Sequence, residues 1–375
     1  MTLPGSPPTV GARKEGSPTV EFSSPPAVSG LDAALDRIAA QADELDRDPA
    51  FPRDAFRALA AAGALGATLP GADGAKTPFV DELGLIERVS RADGSVGRIL
   101  DGHFNAIDRL SLLHPDLLGD EERAAIAGGD LLLGVWGADP APGEGEPARI
   151  QGGDDLTLHG VKTFCSGAGG VQRALILARD EAGASRLAYV DLSRCVSIDR
   201  SWYRGAGLRA SESHRVVFEG AAVYALLGGP GELLREPWFS RDAIRTTATW
   251  AGIADGIVDA MLALLRRRGD PSETVALAAG RILVAQGTIE RWLAHAAERA
   301  QGEGPLAATA IEARWAIAAA ARGIAADAAL ACGSRPLATG GALSRGRRDL
   351  DLFLLQHRLE PLLARHGANA LAPRG

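Results

Sequence analysis

From Leu31 apolar residues return every three or four positions, at Leu35, Ile38, Ala42 and Leu45, and a like spacing over residues 51–62 stops at Gly63. Each run predicts a helix with one buried face, the glycine closing the second. Residues 79–91 and 95–113 continue the pattern around Ala92-Asp93-Gly94, where Asp93 or Ser95 can cap the next helix, and residues 121–127 add a short one. After Gly128-Gly129 the period changes. Runs rich in β-formers at 131–136, 156–159, 173–178, 186–191 and 214–218 alternate with Gly, Asp and Pro turns and predict short strands. The long period then returns over 241–266, 272–300, 306–331 and 345–365, in helices apolar enough to require a bundle or a subunit interface.

The chain therefore reads as α+β, mostly α: a helical N-terminal domain over 29–128, a small β domain over 129–230 and a helical C-terminal domain over 231–375. Residues 1–28 carry Pro4, Pro7, Pro8, Pro18, Pro25 and Pro26 among Ser, Gly and Thr, without the apolar core of a signal peptide, and read as a disordered tail.

With 375 residues, 46% of them hydrophobic, the chain can build a large core in two or three units. A formal net charge of −7 argues against a nucleic-acid surface, and no window approaches the roughly 18 unbroken apolar residues of a membrane span. Small molecules and copies of the chain itself are the expected partners. Cys165, Cys195 and Cys332 are widely spaced and form no CxxC pair, which fits a reducing cytoplasm.

Chemistry has few places to sit. Gly71 to Thr77 has the wrong spacing for a phosphate loop, no GxGxxG follows a strand, and Phe164 breaks a GxSxG elbow at Ser166. The histidines show no metal-ligand spacing, so no metal is expected. The informative run is Thr157 to Gly169, Thr-Leu-His-Gly-Val-Lys-Thr-Phe-Cys-Ser-Gly-Ala-Gly. It reads as a strand, a Gly160 turn, a second strand and a small-residue corner. That corner is either an unliganded hairpin or a wall whose amides beside Ser166 and Gly167 serve the polar edge of a flat cofactor.

Five segments in order resemble the acyl-CoA dehydrogenase superfamily over about Leu31 to Leu371. They are Ile86-Glu-Arg-Val-Ser-Arg-Ala-Asp-Gly-Ser-Val-Gly97, Leu131-Leu-Leu-Gly-Val-Trp136, Gly160-Val-Lys-Thr-Phe-Cys-Ser-Gly167, Gly207-Leu-Arg-Ala-Ser211 and Arg345-Gly-Arg-Arg-Asp349. The resemblance implies a barrel-like β domain between helical ones and FAD held against Val135, Trp136, Gly137, Phe164, Cys165, Ser166 and Gly167, with Trp136 stacking on or walling one side. It also implies an electron acceptor and α,β-dehydrogenation of an acyl thioester, while the long apolar C-terminal helices, such as 315–331, predict a homodimer or homotetramer.

Two departures redirect the reading. The family's glutamate base after R-x-x-R-D falls at Gln356-His357, and its second location falls at Asp242; the T-E-P-x-A-G-S-D run is replaced by Gly137-Ala-Asp-Pro-Ala-Pro-Gly-Glu144. Under dehydrogenation, Asp242 is the expected base. The alternative resembles the superfamily's two-component monooxygenases, which take reduced flavin, here FMN, from a flavin reductase and use oxygen; His103, Ser166 and His357 then surround the flavin. A third alternative is a catalytically inactive structural relative.

Overall fold

In the computed structural model the described residues are 30–71, 73–153, 155–269, 272–356 and 358–372. The tail expected over 1–28 lies outside them, as does His357. The N-terminal helices are α1 (Leu31–Arg47), α2 (Arg53–Ala61), α3 (Phe79–Ala92), α4 (Gly94–Leu113) and α5 (Asp120–Gly128). Asp93 is the residue that caps α4, its Oδ1 accepting from the amides of Ser95 at 2.8 Å and Val96 at 3.0 Å.

Seven strands follow: β1 (Leu133–Trp136), β2 (Arg149–Gln151), β3 (Thr157–Cys165), β4 (Arg173–Arg179), β5 (Ser185–Asp191), β6 (Val196–Asp199) and β7 (His214–Leu227). Strands β4, β2, β3, β7 and β5 pair in that order and β5 pairs back to β4, which closes a small barrel, with β1 added beside β4 and β6 beside β7. The strands β2 and β6, of three and four residues, are too short to leave a period in the sequence.

The expected turn at Gly160 is not a turn. Strand β3 runs through it, and Gly160 holds φ +107 where a Cβ would stand 2.7 Å from the Pro147 carbonyl oxygen and 2.9 Å from that of Glu146. Glycine is there for a close crossing, because the loop leaving β1 passes over β3 and the Val161 amide donates to Glu146 O at 2.8 Å.

The C-terminal helices are α6 (Trp238–Leu265), α7 (Glu273–Gln301), α8 (Ala307–Cys332), α9 (Arg335–Thr339), α10 (Ala342–Phe353) and α11 (Glu360–Leu371). The single helix expected over 345–365 is two, since Pro361 can open α11 but cannot continue α10. Helices α6 and α8 are each long and apolar enough to cross a membrane, contrary to the sequence expectation. Their apolar residues, among them Ile244, Trp250, Ile257, Ile317 and Ile324, fill one hydrophobic core continuous with the barrel.

Candidate functional site

The residues expected at the wall come together at the ends of β1 and β3. Trp136 lies in the core, only 2% exposed, and its Nε1 donates to the Ser166 carbonyl at 3.0 Å. Its ring tilts against Phe218, so it braces the corner from behind instead of offering a stacking face. Phe164 points outward, 49% exposed at φ +51, edge-on to Trp202 with centroids 4.9 Å apart. Cys165 is buried, and that burial pushes its thiol well above the ordinary range. Gly137 is exposed and Val135 half-buried.

Neither amide expected to face a cofactor is free. Ser166 N donates to Phe164 O at 2.9 Å and Gly167 N to Ser211 O at 2.7 Å. The glycines that follow serve packing: a Cβ on Gly170 would stand 2.3 Å from the Phe51 ring, and one on Gly167 2.9 Å from Val171. Arg53 adds a hydrogen bond to Gly169 O at 3.0 Å. This run is small because the α1–α2 connection docks on it. The polar group left at the wall is the Ser166 hydroxyl, whose Oγ lies 2.9 Å from Ser213 Oγ, itself 2.7 Å from Ser211 Oγ.

Lys162, which the motif contained but the sequence gave no role, fixes the other edge. Buried in the barrel, its Nζ donates to Gly137 O at 3.2 Å and Asp139 Oδ1 at 2.7 Å, while Thr163 N donates to Ala138 O at 3.1 Å. Burial lowers its pKa, and the Asp139 carboxylate opposes that. The loop after β1 is thereby clamped to β3.

His103 lies on α4, against β1, with both ring nitrogens taken. The Leu133 amide donates to Nδ1 at 3.0 Å, so Nε2 carries the proton, and it faces Leu65 O at 3.2 Å. Complete burial holds its pKa down at about 4. His103 ties α4 to β1 and to the α2–α3 connection, and neither nitrogen is left for a ligand.

Asp242 sits in the second turn of α6, not at its start. Its Oδ2 accepts from Arg109 and its Oδ1 from Arg245, the latter at 3.1 Å. Arg245, fully buried, also reaches Glu82 on α3 and Asn105 and Asp108 on α4, and stacks over Phe79. Asp108 is buried too, yet Arg245, Lys76 and Arg241 hold its carboxyl down at about 2; at Asp242 burial outweighs its two arginines and raises the carboxyl to about 6. The sequence pointed to Asp242 alone. Its partners on α4 lie more than a hundred residues away, which no local pattern announces.

Beside β1, a Cβ on Gly102 would stand 4.0 Å from the Val135 amide and 3.8 Å from Arg98 Nη1. Arg98 pairs with buried Asp101 at 3.0 Å and lies over Phe353, which meets Trp250 edge-on. Arg314 of α8 lies 5.4 Å from the Trp250 ring centre. Two surface cavities of about 500 and 540 Å³ lie elsewhere, one beside Phe51 and Arg53 and one beside Arg173 and Tyr224, and neither includes the wall.

Residues 32–113 match the family described as "Acyl-CoA dehydrogenase, N-terminal domain". The amino sugar nitrososynthase RubN8 of Streptomyces rubradiris is 31% identical over 208 residues, which cover 52% of this chain and 49% of that protein. The chain thus spans about half the length of the curated relatives it matches. Among solved structures, KijD3 in complex with dTDP is 24% identical with a TM-score of 0.80, covering 91% of this chain and 95% of that one. FMN-bound TdsC from Paenibacillus sp. A11-2 is 19% identical with a TM-score of 0.78, covering 91% and 96%. These likenesses establish the acyl-CoA dehydrogenase-like fold.

Proposed function

From a chain whose residues 32–113 match the acyl-CoA dehydrogenase N-terminal domain and whose fold is acyl-CoA dehydrogenase-like over nearly its whole length, we propose a flavin-dependent monooxygenase that uses FMN. The observation that carries this reading is the state of Asp242. A base for α-proton abstraction must reach its substrate, whereas both Asp242 oxygens are bound to guanidinium groups inside the network that joins α4 to α6. The thioester dehydrogenation expected from the resemblance therefore gives way to its alternative. The similarity to a nitrososynthase and to FMN-bound TdsC supports the same choice.

The residues at the wall fit a flavin. Exposed Phe164, open Gly137 and the Ser166 hydroxyl offer an apolar face beside one polar contact, which suits a flat heteroaromatic ring with a polar edge. A reduced flavin bound there would supply the two electrons needed to place one atom of dioxygen in the substrate and release the other as water. The protein's share is placement: Trp136 and the serines hold Ser166, and Lys162 holds Gly137. His103 acts by positioning β1, and His357 is the remaining candidate to steady the reacting oxygen. Electrons come from a separate flavin reductase. Exposed Leu277, Leu283 and Val284 on α7 support self-association into a homo-oligomer.

The test is oxygen uptake by the purified chain supplied with reduced FMN, an amine-bearing sugar nucleotide or an aromatic heterocycle, with product analysed by mass. A product heavier by one oxygen from labelled dioxygen supports the reading. A chain that takes up no FMN or FAD would instead be an inactive relative.

A further inference from the structure

The three serines share two hydrogen bonds, and their burial decides which way the protons run. Ser211 is fully buried and Ser213 nearly so, while Ser166 lies at the partly exposed end. Among the described residues, the three hydroxyls have no hydrogen-bonding partner beyond one another. If Ser166 donated inward to Ser213, either Ser213 or Ser211 would be left with a buried proton and no acceptor. One order alone avoids this: Ser211 donates to Ser213, and Ser213 donates to Ser166. It leaves only an unused lone pair on Ser211, which costs less than an unused proton.

We infer that Ser211 and Ser213 are positioning residues that fill the acceptor side of Ser166 and turn its hydroxyl into a donor at the wall. This rests on the flavin reading above, in which that proton meets an acceptor on the edge of the ring. The chain gives Ser166 one role in place of two. A donor already accepting a hydrogen bond is also strengthened as a donor. The backbone supports the arrangement, because Gly167 N donates to Ser211 O at 2.7 Å and Trp136 holds Ser166 O, so both ends of the chain are fixed.

The inference is tested by FMN titration of the full chain and its variants, followed by the absorption band of the bound flavin. Ser213→Ala should weaken FMN binding by about three- to tenfold and displace the band in the same direction as Ser166→Ala. Ser213→Thr, which keeps the hydroxyl, should restore both. The variant lacking both hydroxyls should behave as Ser166→Ala alone, since Ser213 acts only through Ser166. Normal binding and an unshifted band in Ser213→Ala, with Ser166→Ala impaired, would overturn the inference and leave the flavin reading standing. If the native chain binds no flavin, that reading fails first. Neutron diffraction from deuterium-exchanged crystals then decides the chain by itself: a deuteron on Ser213 directed at Ser166 upholds it, and one directed at Ser211 overturns it.

Discussion

Arg109 on α4 and Asp242 on α6 are joined by two hydrogen bonds to one carboxylate oxygen, from Nη2 at 2.6 Å and from Nε at 3.1 Å. Arg109 also donates to the carbonyls of Glu232 and Leu233, so the pair fastens the chain entering α6 to the N-terminal helices. Asp242→Ala should then act on stability, by about 3 kcal/mol, because it leaves buried Arg109 without a carboxylate partner while Arg245 keeps Glu82 and Asp108. Asp242→Asn keeps the shape and part of the bonding and should lose less. Denaturation midpoints and turnover, measured together, check this: a stable Asp242→Asn protein with its oxygenation abolished would return Asp242 to the chemistry.

Trp136 separates bracing from stacking. Phenylalanine keeps an aromatic ring but removes the Nε1–H that reaches Ser166 O. Trp136→Phe should cost about 1 kcal/mol in stability and weaken flavin binding several-fold through a loosened Ser166. Equal affinity in Trp136→Phe and the native chain, by flavin titration, would speak for stacking.

The buried histidine and the buried carboxyls impose pH dependences of opposite sign on stability. On the acid side His103, held at about 4 in the fold, stays neutral while an unfolded histidine near 6.5 takes up a proton, so its contribution is complete above 6.5 and is lost as pH falls toward 4. On the alkaline side the sign reverses. Burial and the neighbouring Asp255 raise Glu87 to about 8, and burial and Asp93 raise Asp349 to about 7, so these carboxyls favour the fold while protonated and cease to as pH rises through those values. Glu87→Gln should flatten the fall of Tm with rising pH between about 5 and 8; an unchanged slope across that window would show that Glu87 does not set it.

The sequence made the architecture legible where the period was long. Helices α1 to α4 and α6 to α8 follow their apolar spacing, and the break at Gly128-Gly129 marks the passage to strands. It misled where a residue answers to a distant neighbour. Gly160 looked like a turn because the carbonyls of Glu146 and Pro147 that exclude a side chain there come from another loop. Gly167 looked like part of a cofactor wall because a side chain it accommodates, Ile99, belongs to distant α4. Lys162 sat unremarked within a motif and Ser213 just beyond one, since a hydroxyl or an ammonium shows its purpose only through what it touches.

The flavin absorption band during anaerobic addition of acyl-coenzyme A thioesters to the FMN-loaded chain tests the central claim most directly. A monooxygenase with Asp242 bound in an ion-pair network should leave the oxidised band unchanged across chain lengths. Bleaching by any thioester would mean that a base does reach the α carbon, and would contradict the account.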